Sequence, residues 1–230
     1  MLHPTEPYVE TNSPLLDSLV AYWTFDDVLT DATGRGNNGT GFNSPTYVAG
    51  KVSNAVHFAS ASSQYVRVPA SADMNPGTDN SWSIALWVNL TTLIESERLL
   101  SKWNDPDYTA GWHLMYSVST NRFIFVGVND NANATTFGAA TTGTWIFIVF
   151  GYDAVQGKPY ISVNAQATPD YGGAASNVES TSPLFFGIDA DAVTGPLNGS
   201  IDEVGFWHRL LTAAEITSLY NSGNGTTYPF

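Results

Sequence analysis

Apolar and polar residues alternate along most of this chain with the two-residue period of a β-strand. The cleanest run is Ser81 to Leu90, where Trp82, Ile84, Leu86, Val88 and Leu90 share one face. Leu19, Ala21, Trp23 and Phe25 repeat the pattern, as do Trp112, Leu114, Tyr116 and Val118. Arg122 to Val128 is expected to pair with the latter after the turn at Ser119 to Asn121. Ala55 to Ala59 and Gln64 to Val68 read as a hairpin around Ser60 to Ser63. Trp145 to Tyr152 is apolar on both faces, as a central strand covered on both sides would be. Tyr160 to Val163, Leu184 to Ile188 and Ser200 to His208 complete the set.

Only Thr212 to Asn221 changes period. Thr212-Ala-Ala-Glu215 is a capping box, Ile216, Leu219 and Tyr220 form one apolar stripe, and Gly223 supplies a left-handed stop. Many short strands with polar turns and one helix predict an all-β sandwich or barrel, not a βαβ fold. Strict alternation through Ser200 to His208 would put Asp202, Val204 and Phe206 on one face. A carboxylate on an apolar face needs a cation or several donors.

Residues 1–17 hold three prolines and read as an extended arm; residues 18–230 contain no linker-like stretch and are expected to form one domain. With little apolar surface of its own, the arm is expected to pack against another copy or a partner protein. At 43% hydrophobic and 13% aromatic residues, the chain can bury a sizeable core. The absence of cysteine excludes disulfides, thiol nucleophiles and cysteine metal sites. A net charge of −13, with only eight basic residues, disfavours nucleic acid and anionic membranes as partners. The first residues lack the basic start and apolar run of a signal peptide, and no apolar stretch is long enough to span a bilayer.

Both ends of the domain resemble one family. Gly199-Ser-Ile-Asp-Glu-Val204, the aromatic pair Phe206-Trp207, and Arg209-Leu-Leu-Thr-Ala-Ala-Glu-Ile216 with Leu219-Tyr220 are similar to the end of a LamG-like jelly roll of the concanavalin A-like lectin/glucanase superfamily. Leu19-Val-Ala-Tyr-Trp-Thr-Phe-Asp26, Asp31 to Gly39, Lys51 to Phe58 and Trp82 to Val88 match its opening and middle blocks, so the likeness runs from about Ser18 to Ser222. The resemblance implies a two-sheet antiparallel jelly-roll sandwich used mostly for binding. It also implies a structural calcium ion held by Asp26, Asn38, the Gly39 carbonyl and Asp202, which suits the hard oxygen ligands that ion takes. The alternative reading of the same acids is that Asp202 and Asp31 cap loop amides.

A retaining glycosidase needs two carboxylates about 5 Å apart, which on a strand means acids at i and i+2 or i+4. Glu95 with Glu97 and Asp105 with Asp107 have the spacing but lie in segments that read as solvated loops. No nucleophile elbow, zinc helix or phosphate loop is present, and His57, His113 and His208 are lone strand histidines. No catalytic residue is therefore assigned. Sugar recognition needs aromatic faces beside amide and carboxylate side chains. Trp103, Asp105, Asp107 and Tyr108, and Asn129, Asp130 and Asn131, form two such loops.

The expected function is that of a non-catalytic recognition or structural module. It would be an oligomer or part of a larger assembly, such as a virion decoration or appendage protein, joined to other subunits through the arm, with glycan binding possible. The localisation that goes with this is a virion or an extracellular surface. A carbohydrate-binding or adhesion module of a secreted or cell-surface protein is the alternative, and a glycoside hydrolase the third.

Overall fold

The computed structural model describes residues 13–78, 80–94, 96–103, 109–127, 131–133, 137–175 and 180–230. Among them are fifteen strands: β1 (Leu19–Trp23), β2 (Thr40–Phe42), β3 (Thr46–Ala49), β4 (Asn54–Phe58), β5 (Tyr65–Val68), β6 (Trp82–Leu90), β7 (Glu97–Trp103), β8 (Gly111–Ser117), β9 (Arg122–Gly127), β10 (Asn131–Asn133), β11 (Trp145–Asp153), β12 (Lys158–Val163), β13 (Asp170–Tyr171), β14 (Leu184–Phe186) and β15 (Gly199–Trp207). The helix α1 spans Ala213–Tyr220. The strands form two antiparallel sheets, the jelly-roll sandwich expected. Sheet I has the order β13-β12-β11-β6-β15-β4-β3, with β1 also paired to β15; sheet II has the order β10-β9-β8-β7-β14-β5-β2.

Alternation explains the sandwich. Ile84, Leu86 and Val88 of β6, and Ile146, Ile148 and Phe150 of β11, face the core between the sheets, where they meet Leu100, Leu114, Phe125 and Phe186 of sheet II. Trp82 is the hub, within 6.0 Å of the rings of Trp112, Phe125, Phe150 and Phe206. Such pairs add about 0.5–1.5 kcal/mol each beyond the area they bury. The other faces of β6 and β11 are apolar too. Ala85, Trp87, Phe147 and Val149 lie on the outside of sheet I beneath Leu211, Ile216 and Leu219. β11 is thus the doubly covered central strand its composition implies.

α1 begins at the expected capping box: Thr212 Oγ1 accepts from the Glu215 amide at 3.3 Å, and Glu215 Oε2 accepts from the Thr212 amide at 2.8 Å. It ends at Asn221, in the left-handed region at φ 47°, two residues before Gly223. Arg209 anchors the helix by forking onto Glu215 at 2.8 Å through two nitrogens. The same guanidinium donates to the carbonyls of Pro14 and Asp17.

Four expectations are corrected. Residues 13–17 are not a free arm: Pro14–Leu16 forms a 3₁₀ turn, Leu15 is buried, and its carbonyl accepts from Trp207 Nε1 at 2.7 Å. They pack on their own domain because Leu15 and Leu16 complete the apolar cover of sheet I; residues 1–12 lie outside the described residues. β4 and β5 are not a hairpin, since β4 belongs to sheet I and β5 to sheet II. The 3₁₀ turn Ser60–Ser62 and left-handed Ser63 carry the chain across. Residues 101–103 and Asn131 are not loops but lie on β7 and β10. Lastly, β15 does not alternate strictly. Asp202 pairs with Trp87 and Gly205 with Ala85, so two residues, Glu203 and Val204, stand opposite Leu86 alone, and Glu203 has φ 49°. This bulge keeps Ile201, Val204 and Phe206 in the core and turns Asp202 to the outer face, opposite Trp87.

Candidate functional site

The bulge gathers acids under the chain's own C-terminal segment. Asp202 is fully buried, and its Oδ2 accepts from the Lys51 and Val52 amides at 2.7 and 3.0 Å. Gly50 makes this approach possible, because a Cβ there would stand 2.6 Å from the same oxygen. Glu203 Oε2 accepts from the Tyr22 hydroxyl at 2.6 Å, and that hydroxyl also lies 3.3 Å from the Thr226 carbonyl. Asp202 Oδ1 and Glu203 Oε1 are buried with no partner. Burial pushes Asp202 up to about 7, against the pull of the Val52 and Lys51 amides, and the charge of Asp26 adds to the rise. Burial likewise pushes Glu203 up to about 8, with Asp202 and Asp26 contributing.

The four residues expected to hold calcium fall into two groups. Asp26 and Asp202 share one electrostatic neighbourhood, and Asp26 Oδ1 accepts from the Asn54 amide at 2.8 Å. Asn38 Oδ1 instead accepts from the Asp31 amide at 2.9 Å, and the Gly39 amide donates to Leu29. Asp31 is consumed by the amides of Tyr22, Thr33 and Asn37 and by two side chains. Among the described residues no three His, Asp or Glu side chains are grouped to hold a metal ion. The unpartnered Oδ1 of Asp202 and nearby Asp26 suit a hard cation, whereas Asn38 Oδ1 is already accepting from the Asp31 amide.

The second candidate region is the outer face of sheet II. In register across the strands, Phe185 of β14 faces Ser101 of β7, which faces His113 of β8, then Val126 of β9 and Asn131 of β10. The next row holds Arg98, Met115, Ile124 and Asn133. Trp103 is only 5% exposed and sets its ring against His113 at 5.4 Å, so its indole is part of the floor and offers no open stacking face. Ile124, Val126 and Asn133 are half-buried and Asn131 is exposed. At the β7 side of this face Asp189 binds Arg98 Nε at 3.0 Å and Ser101 Oγ at 2.7 Å. His113 Nδ1 is buried without a partner, and burial with the adjacent Arg98 pushes the imidazole down to about 4. Asp105, Asp107, Tyr108, Asn129 and Asp130 lie outside the described residues, as does Glu95.

Sequence reasoning left His113 as a lone strand histidine and missed Arg98 and Asp189, since Asp189 stands 91 positions from Arg98 and no local spacing joins them. It also misread Glu97, which is no solvated loop acid. Glu97 is 1% exposed at the start of β7, where it accepts from the Asn198 and Ile94 amides. Four acids carried by strands, Glu97, Asp153, Asp202 and Glu203, are at most 4% exposed.

Residues 60–217 match the family model described as the concanavalin A-like lectin/glucanases superfamily. No curated protein matches the sequence. Among solved structures, domain 4 of AbnA, a GH43 extracellular arabinanase from Geobacillus stearothermophilus solved in complex with arabinotriose, superposes with a TM-score of 0.68 at 19% identity, over 87% of this chain and 97% of that one. The binding domain of Paraclostridial Mosquitocidal Protein 1 gives 0.67 at 14% identity, over 90% and 52%. The binding domain of Botulinum Neurotoxin DC, in complex with SialylT, gives 0.64 at 14% identity, again over 90% and 52%. The chain thus spans about half the length of these toxin binding domains.

Proposed function

Because the chain belongs to the concanavalin A-like lectin/glucanases superfamily, we propose that it is a non-catalytic module that recognises neutral oligosaccharides on the outer face of sheet II. The observation that carries this is the contrast between the two outer faces. Sheet I is closed by its own helix and termini. Sheet II presents half-buried Ile124 and Val126, backed by buried Trp103 and Met115 and edged by the amides of Asn131 and Asn133. Apolar floors with a few fixed amides suit the faces and hydroxyls of sugar rings. Arg98 is neutralised by Asp189 and the chain carries −13 overall, which disfavours sialylated or uronic ligands. That a similarly folded domain was solved with arabinotriose supports the reading at the level of the fold.

The burial of the strand-borne acids supports a module without hydrolytic activity. A structural calcium ion is part of the same proposal, with Asp202 Oδ1 and Asp26 as its carboxylate donors. It would set positive charge beside the buried carboxyl of Asp202 and half-buried Asp26. An array of neutral and sialylated glycans tests the recognition. Neutral glycans should bind, and Asn131→Ala with Asn133→Ala should weaken binding at least tenfold without shifting the melting curve. Preference for sialylated glycans, or no binding at all, would overturn the proposal.

A further inference from the structure

β2 and β3 are the last strands of their sheets and are joined through residues 43–45, so one flank of the sandwich shows two sheet edges. All four residues of β3, Thr46–Ala49, are exposed, with Tyr47 at 36% and Val48 at 38%. Among the described residues the strand pairs on one side only, with β4, from Thr46 opposite His57 to Ala49 opposite Asn54 and with no register shift. Natural edges are blunted by charge, proline or a bulge. Thr46–Ala49 has none of these, and presents a flat row of unpaired amides and carbonyls.

We propose that β3 accepts residues Tyr8–Thr11 of a second copy of this chain as an added strand. The segment Tyr8-Val9-Glu10-Thr11 is free of proline, bounded by Pro7, and as long as β3. Its own β3 is out of reach. Pro14 is pinned by Arg209 at 2.8 Å and Leu15 by Trp207 at 2.7 Å. Ala49 pairs with Asn54, and Val56 pairs with Ile201, which places Ala49 level with residue 203 of β15. From Trp207 that is about 13 Å along the strands and about 10 Å across two of them. Three residues, Thr11 to Pro14, span at most about 11 Å. In another molecule no such tether applies, and main-chain pairing of the β-augmentation kind supplies the affinity.

The protein has no cysteine, so Val9→Cys with Val48→Cys gives a direct readout. Under mild oxidation the double variant should form a covalent dimer or ladder, while either single variant gives no ladder. By native mass, the full chain should be multimeric. Deleting residues 1–12 should give a monomer with an unchanged melting curve, and so should Tyr47→Lys with Val48→Lys at these exposed positions. Mixing the arm-deleted chain, which keeps the acceptor edge, with the lysine variant, which keeps the donor arm, should restore a one-to-one pair. A monomeric full chain, a multimer that survives arm deletion, or a mixture that stays monomeric would each overturn the proposal.

Discussion

Acidification tests the outer face of sheet II most sharply, through the desolvated His113. The imidazole is 7% exposed, its Nδ1 has no partner, and Trp103 packs on its ring. A proton there would place a cation in a desolvated site facing Arg98, with Asp189 already engaged by that arginine and by Ser101. Its pKa accordingly falls from 6.5 to about 4. In the unfolded chain the group binds its proton below about 6.5, whereas the folded protein resists until about 4. The contribution is therefore fully present above pH 6.5 and is lost as pH falls toward 4. Over that window it amounts to about 3 kcal/mol, at 1.36 kcal/mol per pH unit. Asp202 and Glu203 act with the opposite sign, because their raised folded pKa values favour the folded state at low pH and lose that benefit as pH rises toward 7 and 8. A single pH–stability curve would blend the two effects, so the measurement is a difference. Urea unfolding of wild type and His113→Phe at pH 7, 5.5 and 4 should show wild type losing about 3 kcal/mol relative to the variant. A constant difference across that range would show that His113 is protonated in the folded state and that the desolvation argument is wrong.

Three further outcomes are expected. Asp202→Asn should abolish any dependence of the melting temperature on calcium and chelator, which in wild type should amount to about 2.7 kcal/mol at a hundredfold excess over Kd; a wild-type curve indifferent to both would end the cation proposal. Lys102 is 2% exposed and donates to Asn75 Oδ1 and to the Ser180 and Ser182 carbonyls. Lys102→Met should cost about 1–3 kcal/mol in denaturant unfolding by stranding those neutral acceptors, and a cost below 1 kcal/mol would contradict it. Thr212→Ala removes the cap of α1 and should cost about 1 kcal/mol, read as a lower melting temperature; an unchanged one would show that Arg209 alone fixes the helix.

What could be read from the sequence was whatever depends on period alone. β6 and β11 announced themselves because every second residue, or every residue, is apolar over eight or more positions. The capping box of α1 was legible because its partners are three residues apart. β7 was not, since Glu97, Ser101 and Lys102 break the pattern and draw on partners 27 to 101 positions away that no local spacing reveals. The bulge at Glu203 was invisible for a different reason. One inserted residue leaves composition untouched and reverses the face of Asp202, so the acid expected in the core lies outside it. The hairpin reading of β4 and β5 failed because adjacency in sequence does not say which sheet the next strand joins. Three residues of 3₁₀ turn were enough to change sheets.

The position of the C-terminus has a practical outcome. Phe230 rests on Trp207 on the sheet I side, the two rings 6.5 Å apart. Asn131 and Asn133 lie on the outer face of the other sheet. A support that holds the domain by a tag after Phe230 should leave the asparagine-edged face turned outward, whereas coupling through surface amines would not choose a side.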